Sequence, residues 1–236
     1  MKLARIILLL AVVAALLLLS AGPGTRFGLW EFGTGFLLMR WAFFGGIAAA
    51  LLAIVLLVIP ATRRAAAPLL VAAVVIGALT AWVPWNGLQT VRSLPFIHDI
   101  TTDMDDPPVF VAVLPLRADA ANPPEYPGEE VAQQQREAYP EVQPILTTLN
   151  VAEAFDRAEQ VARELGWEIV TTVPQDGRIE ATDTTFWFGF KDDVVIRVRP
   201  TVEGSRIDIR SKSRVGRSDV GANAARIRDF IASFDR

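Results

Sequence analysis

The chain has 236 residues, a formal net charge of −3, a hydrophobic share of 52%, one histidine and no cysteine. Without cysteine there are no disulfides or thiolate metal sites, and a single histidine excludes a multi-histidine zinc or iron centre, so no metal or cofactor is expected. The average charge hides two different polymers. Residues 1–92 carry seven basic side chains and one acid, Glu31, whereas 93–236 carry 16 basic and 25 acidic ones. A membrane module followed by one soluble domain fits this division.

Three apolar runs come first. "LARIILLLAVVAALLLLSAG" (3–22) has a basic head and a long apolar stretch, "WAFFGGIAAALLAIVLLVIP" (41–60) and "APLLVAAVVIGALTAWVPW" (67–85) follow, and the last two hold no charge across a span of bilayer length. The first run has a longer apolar stretch than a cleaved signal and a poor cleavage box, "LSAG", which favours a retained helix. Lys2 and Arg5 hold the N-terminus in the cytoplasm, and Arg63 with Arg64 mark the tight second loop as cytoplasmic too. The domain after the third helix then lies outside the cytoplasm of a multi-pass protein of the bacterial inner membrane. Trp82 and Trp85, and Trp30 and Trp41, fall where interfacial indoles belong. None of the three spans carries a buried ionisable residue, so they read as a plain anchor.

Residues 93–149 form a proline-rich acidic arm, with a short strand expected at 109–113 and a helix over 129–138. "IHDITTDMDD" (97–106) offers His98 beside Asp99 as an acid–base pair and several aspartates as cation ligands. An EF-hand loop would need Asp or Asn at 107 and Gly at 108, where the chain has Pro107 and Pro108. Neighbours on an extended chain also point opposite ways, so a tight turn using Thr101 and Thr102 is the simpler reading.

Asn150 and Glu153 form a capping box ahead of an amphipathic helix that Gly166 ends. Four strands follow at 167–173, 177–184, 193–200 and 205–212, and a last helix starts near Ser218 or Asp219. The expected fold class is thus membrane helices plus an α+β two-layer domain over 150–236, with an antiparallel four-stranded sheet in α-β-β-β-β-α order and both helices on one face. Alternation sends Ile179, Ala181, Val194, Ile196, Val198, Ile207 and Ile209 toward the helices. It sends Arg178, Glu180, Thr182, Arg197, Arg199, Arg206, Asp208 and Arg210 to the opposite, charged face. The aromatic run "TTFWFGFKDD" (184–193) reads as core, as a loop dipping into lipid, or as the lining of an acyl pocket.

The stretches "FIHDITTD", "PPVF", "YP", "GRIEATDTTFWFGFKDDVVIRV" and "DIRSKSRVGRSDVGANAARIRDF" resemble the uncharacterised bacterial family catalogued as domain of unknown function 1499. The resemblance covers about residues 93–236. Longer members similarly carry a membrane hairpin ahead of the domain, and the family implies no activity, substrate or catalytic residue.

The basic stretch 210–217 is the best candidate for a ligand. Arg210, Lys212, Arg214 and Arg217, with Ser218 and the amides at the start of the last helix, could hold an anion, and Arg197 and Arg199 would add charge. Asp219 opposes this, since a capping carboxylate can take the anion's place. Internal pairing opposes it too, because residues 93–176 hold 16 acids against four bases and need a basic dock. The function that emerges is a membrane-anchored, extracytoplasmic binding or assembly module, contacting an anionic envelope ligand or a membrane protein partner. The alternative is an envelope hydrolase or transferase using His98 with carboxylates such as Asp99, Asp183 or Asp193. A domain with a balance of −9 is not expected to bind nucleic acid.

Overall fold

A computed structural model describes all residues, Met1–Arg236. The chain divides into two compact units, Met1–Arg92 with Phe186–Gly189, and Ser93–Thr185 with Phe190–Arg236.

The first unit holds α1 (Lys2–Arg26), α2 (Phe32–Val58) and α3 (Pro60–Ser93), all long and apolar enough to cross a membrane. α2 begins nine residues before the expected span. α3 opens on Pro60, whose fixed φ suits a first helical position. It breaks at Ala66 (φ −149°), two residues ahead of Pro68, whose ring lacks a donor and crowds the preceding turn. Small residues let the helices approach: Ala11, Ala49, Ala53 and Ala73 are fully buried. Gly46 and Gly77 are in closest approach, since a Cβ on Gly46 would lie 2.6 Å from the Gly77 carbonyl oxygen.

The second unit is an α+β domain with a six-stranded antiparallel sheet. Its elements are β1 (Asp99–Thr101), α4 (Glu129–Ala138), β2 (Ile145–Thr147), α5 (Val151–Glu164), β3 (Glu168–Val173), β4 (Arg178–Thr184), β5 (Lys191–Pro200), β6 (Ser205–Ser213) and α6 (Ala222–Phe234). The sheet order is β1-β6-β5-β4-β3, with β2 also paired to β6. The expectation of four strands is corrected to six. β1 and β2 are three residues each and share one edge of β6, opposite Arg210–Lys212 and Ser205–Ile207 respectively. Neither is long enough to show an alternating pattern.

The expected strand at 109–113 is irregular instead, because the amides of Val111, Ala112 and Val113 donate to the Glu180 carboxylate rather than to a ladder. The last helix starts at Ala222, later than expected, because Val220 (φ 55°) and Gly221 (φ 80°) are left-handed. Asn150 caps α5 through the expected box, accepting from the amides of Ala152 and Glu153.

The main core lies between the sheet and α5 and α6, around Phe155, Ile179, Ile196, Ile207, Ile209, Ile227 and Phe230. Residues from 93–149 enter it as well, with Ile97, Ile100, Tyr139, Val142 and Ile145 buried there. Gln135 of α4, fully buried, closes the outer edge of β1: its amide donates to the Thr101 carbonyl at 2.6 Å and accepts from the Thr101 N–H at 3.0 Å. A side chain thus does the work of a neighbouring strand.

Replacing Gly46 by alanine forces α2 and α3 apart and lowers the thermal midpoint of the full chain in detergent. Gly33→Ala, where nothing lies within 4 Å, leaves the midpoint unchanged or raises it through helix propensity.

Candidate functional site

The sheet face away from α5 and α6 carries the charge that alternation assigns to it, and register arranges it in rows. Thr182, Asp193, Lys212 and Asp99 lie side by side across β4, β5, β6 and β1, as do Glu180, Val195, Arg210 and Thr101. The segment 99–126 folds over this face. Phe110 and Val113 pack on Val195 to form a small second core.

Asp99 is the centre of the first cluster and is fully buried. Arg210 donates to it from Nε and Nη2 at 2.9 and 2.8 Å, and Lys212 Nζ donates at 2.8 Å. The remaining donors reach the covering segment: Arg210 binds the carbonyls of Pro108 and Pro124, and Lys212 that of Glu125. The Arg210 guanidinium also faces the rings of Phe110 at 4.8 Å and Tyr126 at 5.5 Å. Burial, and after it the Asp99 charge, pushes the Tyr126 phenol up to about 12. Burial lowers the pKa of Lys212, and the Asp99 carboxylate works against that shift.

A second cluster surrounds Asp193, which accepts from Arg117 at 2.6 Å, Thr182 at 2.7 Å, and Arg214 at 2.9 and 2.7 Å. Burial alone would raise its pKa, but these hydrogen bonds outweigh burial and hold it below the usual carboxylate range. In a third cluster Arg197, Arg199 and Arg206 share Asp103 and Asp208, and Arg197 and Arg199 also reach Asp106. Asp103 also accepts from the amides of Asp105 and Asp106, and Thr101 Oγ1 from that of Asp103, forming the tight turn read from "TTDMDD". Its pKa is lowered too, the turn amides and arginines overcoming the effect of burial.

The helix-side face holds one ionic cluster. Arg226 of α6 binds Asp183 and Asp192 at 2.8 Å each and the Ser211 hydroxyl at 3.0 Å.

The candidate residues therefore separate. Arg210 and Lys212 are sealed from solvent, Arg214 is committed to Asp193, and Arg197 and Arg199 are committed to aspartates. Arg199 keeps 38% of its side chain exposed, and Arg217 is exposed. The donors after Ser218 are already used. Ser218 Oγ accepts from Val220 N, and the Asp219 carboxylate accepts from Gly221 and Asn223 at 2.8 and 2.9 Å. Asp219 occupies the anion position at the start of α6, as its place in the sequence suggested, and burial raises its pKa. The amides of Val220, Gly221 and Ala222, expected to face an anion beside Ser218, all donate within the chain.

His98 directly precedes β1 and is half-buried. Burial, assisted by the Lys212 charge, lowers its pKa. It enters no ion pair, and Asp99, Asp183 and Asp193 are all engaged by arginines or lysine.

What stays open is a cleft of about 490 Å³ where β1 ends and β2 begins. Thr102, Asp103, Met104, Asp105, Arg136, Gln143, Pro144, Leu146 and Arg206 line it. Two guanidinium groups and two carboxylates meet apolar Met104, Pro144 and Leu146 there. Sequence reasoning missed it, together with Arg117 and Arg226. Arg226 alone left a signal, as a charge inside the apolar stripe of the last helix.

Residues 99–234 match the family described as "Protein of unknown function (DUF1499)". The match covers more than half of the chain, and the chain belongs to that family. It begins at Asp99, the carboxylate on which the buried cluster is built. No curated protein matches the chain.

Asp99→Asn leaves two buried cations without a counter-ion and costs about 3–5 kcal/mol, whereas Asp106→Asn, at the exposed rim, costs less than about 1 kcal/mol; equilibrium denaturation of both variants measures the difference. Asp103 and Asp193 titrate below an unfolded aspartate, about 3.9. The stability they contribute is complete above that pH and is lost as pH falls through and below it. A denaturation series from pH 7 to 2 follows the loss, which Asp193→Asn makes shallower.

Proposed function

We propose that this member of the DUF1499 family is a membrane-anchored, extracytoplasmic binding or assembly module of the bacterial inner membrane. The orientation rests on Lys2 and Arg5 at the start of α1 and on Arg63 and Arg64 near the start of α3, which the positive-inside rule keeps in the cytoplasm. With α1, α2 and α3 as spans, the domain that follows Ser93 is then on the other, periplasmic side.

The observation that carries the binding reading is the cleft between β1 and β2. It sets the Arg136 guanidinium beside apolar Met104, Pro144 and Leu146, with Arg206 in its lining already paired to carboxylates. Its volume is in the range of small-molecule sites. An anionic envelope component with an apolar portion fits that chemistry: Arg206 is held in place by Asp103 and Asp208, while Arg136 pairs only with the exposed Glu129. The sealed cations Arg210 and Lys212 support the cleft by holding Asp99, just ahead of the Thr102–Asp105 wall. In this reading the domain contributes recognition rather than chemistry.

Two measurements test this. A Val202→Cys variant, at the fully exposed β5–β6 turn, reacts with a membrane-impermeant maleimide in intact cells; labelling only after lysis overturns the orientation. Full-length protein drawn from an envelope extract in detergent carries a reproducible extra mass in native mass spectrometry. Arg136→Ala, which leaves the buried clusters untouched, reduces its occupancy at least tenfold. An unchanged mass, or none in either protein, removes the cleft as the binding site.

A further inference from the structure

The aromatic run at 186–190 is neither strand nor sheet core. β4 stops at Thr184 and β5 starts at Lys191, and Phe186–Gly189 belongs to the helical unit. Within that unit each residue has a defined place. The Trp187 indole lies where a side chain on Gly22 of α1 would be, so only glycine leaves it room. Phe188 packs on Phe36 of α2 with ring centroids 5.2 Å apart and fills the space above Gly35. Arg26 donates to the Phe186 carbonyl at 2.6 Å. Gly189 has φ +71° and passes so close to Arg26 that a Cβ would meet its Cγ at 2.9 Å. The segment is thus held on three sides.

Phe186 is the exception, with its ring 90% exposed. Exposed apolar side chains surround it at this end of α1 and α2, namely Phe27, Leu29, Phe32 and Phe36, interspersed with exposed Arg26, Glu31 and Thr34. This patch is continuous with the outward faces of the two spans, where Leu16, Leu19, Leu37 and Trp41 are exposed as lipid-facing residues must be. Arg26 and the Trp30 indole, which donates to the Ala21 carbonyl at 3.2 Å, have the composition of a headgroup boundary.

We infer that Phe186 is a lipid contact, inserted at the boundary between headgroups and acyl chains of the membrane that α1 and α2 cross. The occupant of this patch is lipid, because the surface it extends is already the one that faces acyl chains. Unlike a spanning helix, Phe186–Gly189 reaches that boundary as an irregular loop. This is tolerated because the Phe186 carbonyl is satisfied by Arg26 and the depth is interfacial. The inference rests on the helices being membrane spans, as in the proposed function.

The test exploits the absence of native cysteine. Full-length Phe186→Cys, Leu19→Cys and Val202→Cys variants each carry a nitroxide label in nanodiscs of phosphatidylcholine and phosphatidylglycerol. Collision rates with oxygen, which partitions into lipid, and with a water-soluble nickel chelate then report each environment. The label at 186 should collide with oxygen several-fold more often than with the chelate, as at 19 and opposite to 202. A label at 186 that behaves like 202 overturns the inference, and so does one shielded from both reagents, which would place protein over the patch. If position 19 also proves aqueous, the membrane reading fails with it; if 19 is lipidic and 186 aqueous, only the lipid contact of Phe186 fails. Retained helical circular dichroism shows that each variant is folded, since the substitution at 186 removes only an exposed ring with Arg26 over it.

Discussion

A carboxylate sealed between two cations is the constraint on which the α+β domain depends. Asp99 enters from a three-residue strand and meets Arg210 and Lys212 of β6 with no water access. One negative charge cannot balance two positive ones, so the excess is spread over carbonyl oxygens of Pro108, Pro124 and Glu125. Those contacts dictate the path of the covering segment. The same logic repeats at Asp193, where Arg117 and Arg214 share one carboxylate and Arg117 also reaches the Asn122 carbonyl. Removal of any member strands a charge in a low-dielectric layer, which is far costlier than the net worth of the pair. The charged face is therefore a fastening for residues 99–126 before it is anything else.

This bears directly on function. A sheet face with so many arginines invites the reading of an anion site, but a cation counts as available only if its donors are free. Here Glu180 is held by three successive amides and Asp219 by two more, so even the backbone donors that could cradle a phosphate already hold the protein's own carboxylates. Available chemistry survives at the margin, where the two short strands leave a gap along β6.

Much of the architecture was legible from residues alone. The three apolar helices, the capping box at Asn150, the four long strands and the division of residues between the two sheet faces all follow from period and charge. Each is a long pattern in which many side chains repeat one instruction. The parts that were not legible are those where a single distant contact decides. β1 and β2 are too short to carry a period. Residues 111–113 have strand composition, yet a carboxylate 67 residues away takes their amides. Val220 is β-branched and sits at a positive φ that its type resists, so nothing local announces that α6 waits until Ala222. In the aromatic run, composition allowed core, lipid or pocket, and only the space left by Gly22 and Gly35 shows that Trp187 and Phe188 pack on α1 and α2.

The amide of Gln135 has one more consequence. By occupying both the donor and the acceptor of Thr101, it ends the sheet on that side as firmly as a further strand would, but without presenting an edge of its own. The opposite end, β3, is interrupted between Ile169 and Thr171, where the register shifts against β4, and a bulge breaks the even row of donors that an incoming strand needs. Proteins confined to a membrane collide in two dimensions at high local density, and open sheet edges would make such encounters adhesive. With one border stoppered by a side chain and the other bent out of register, the domain can crowd against copies of itself without polymerising edge to edge.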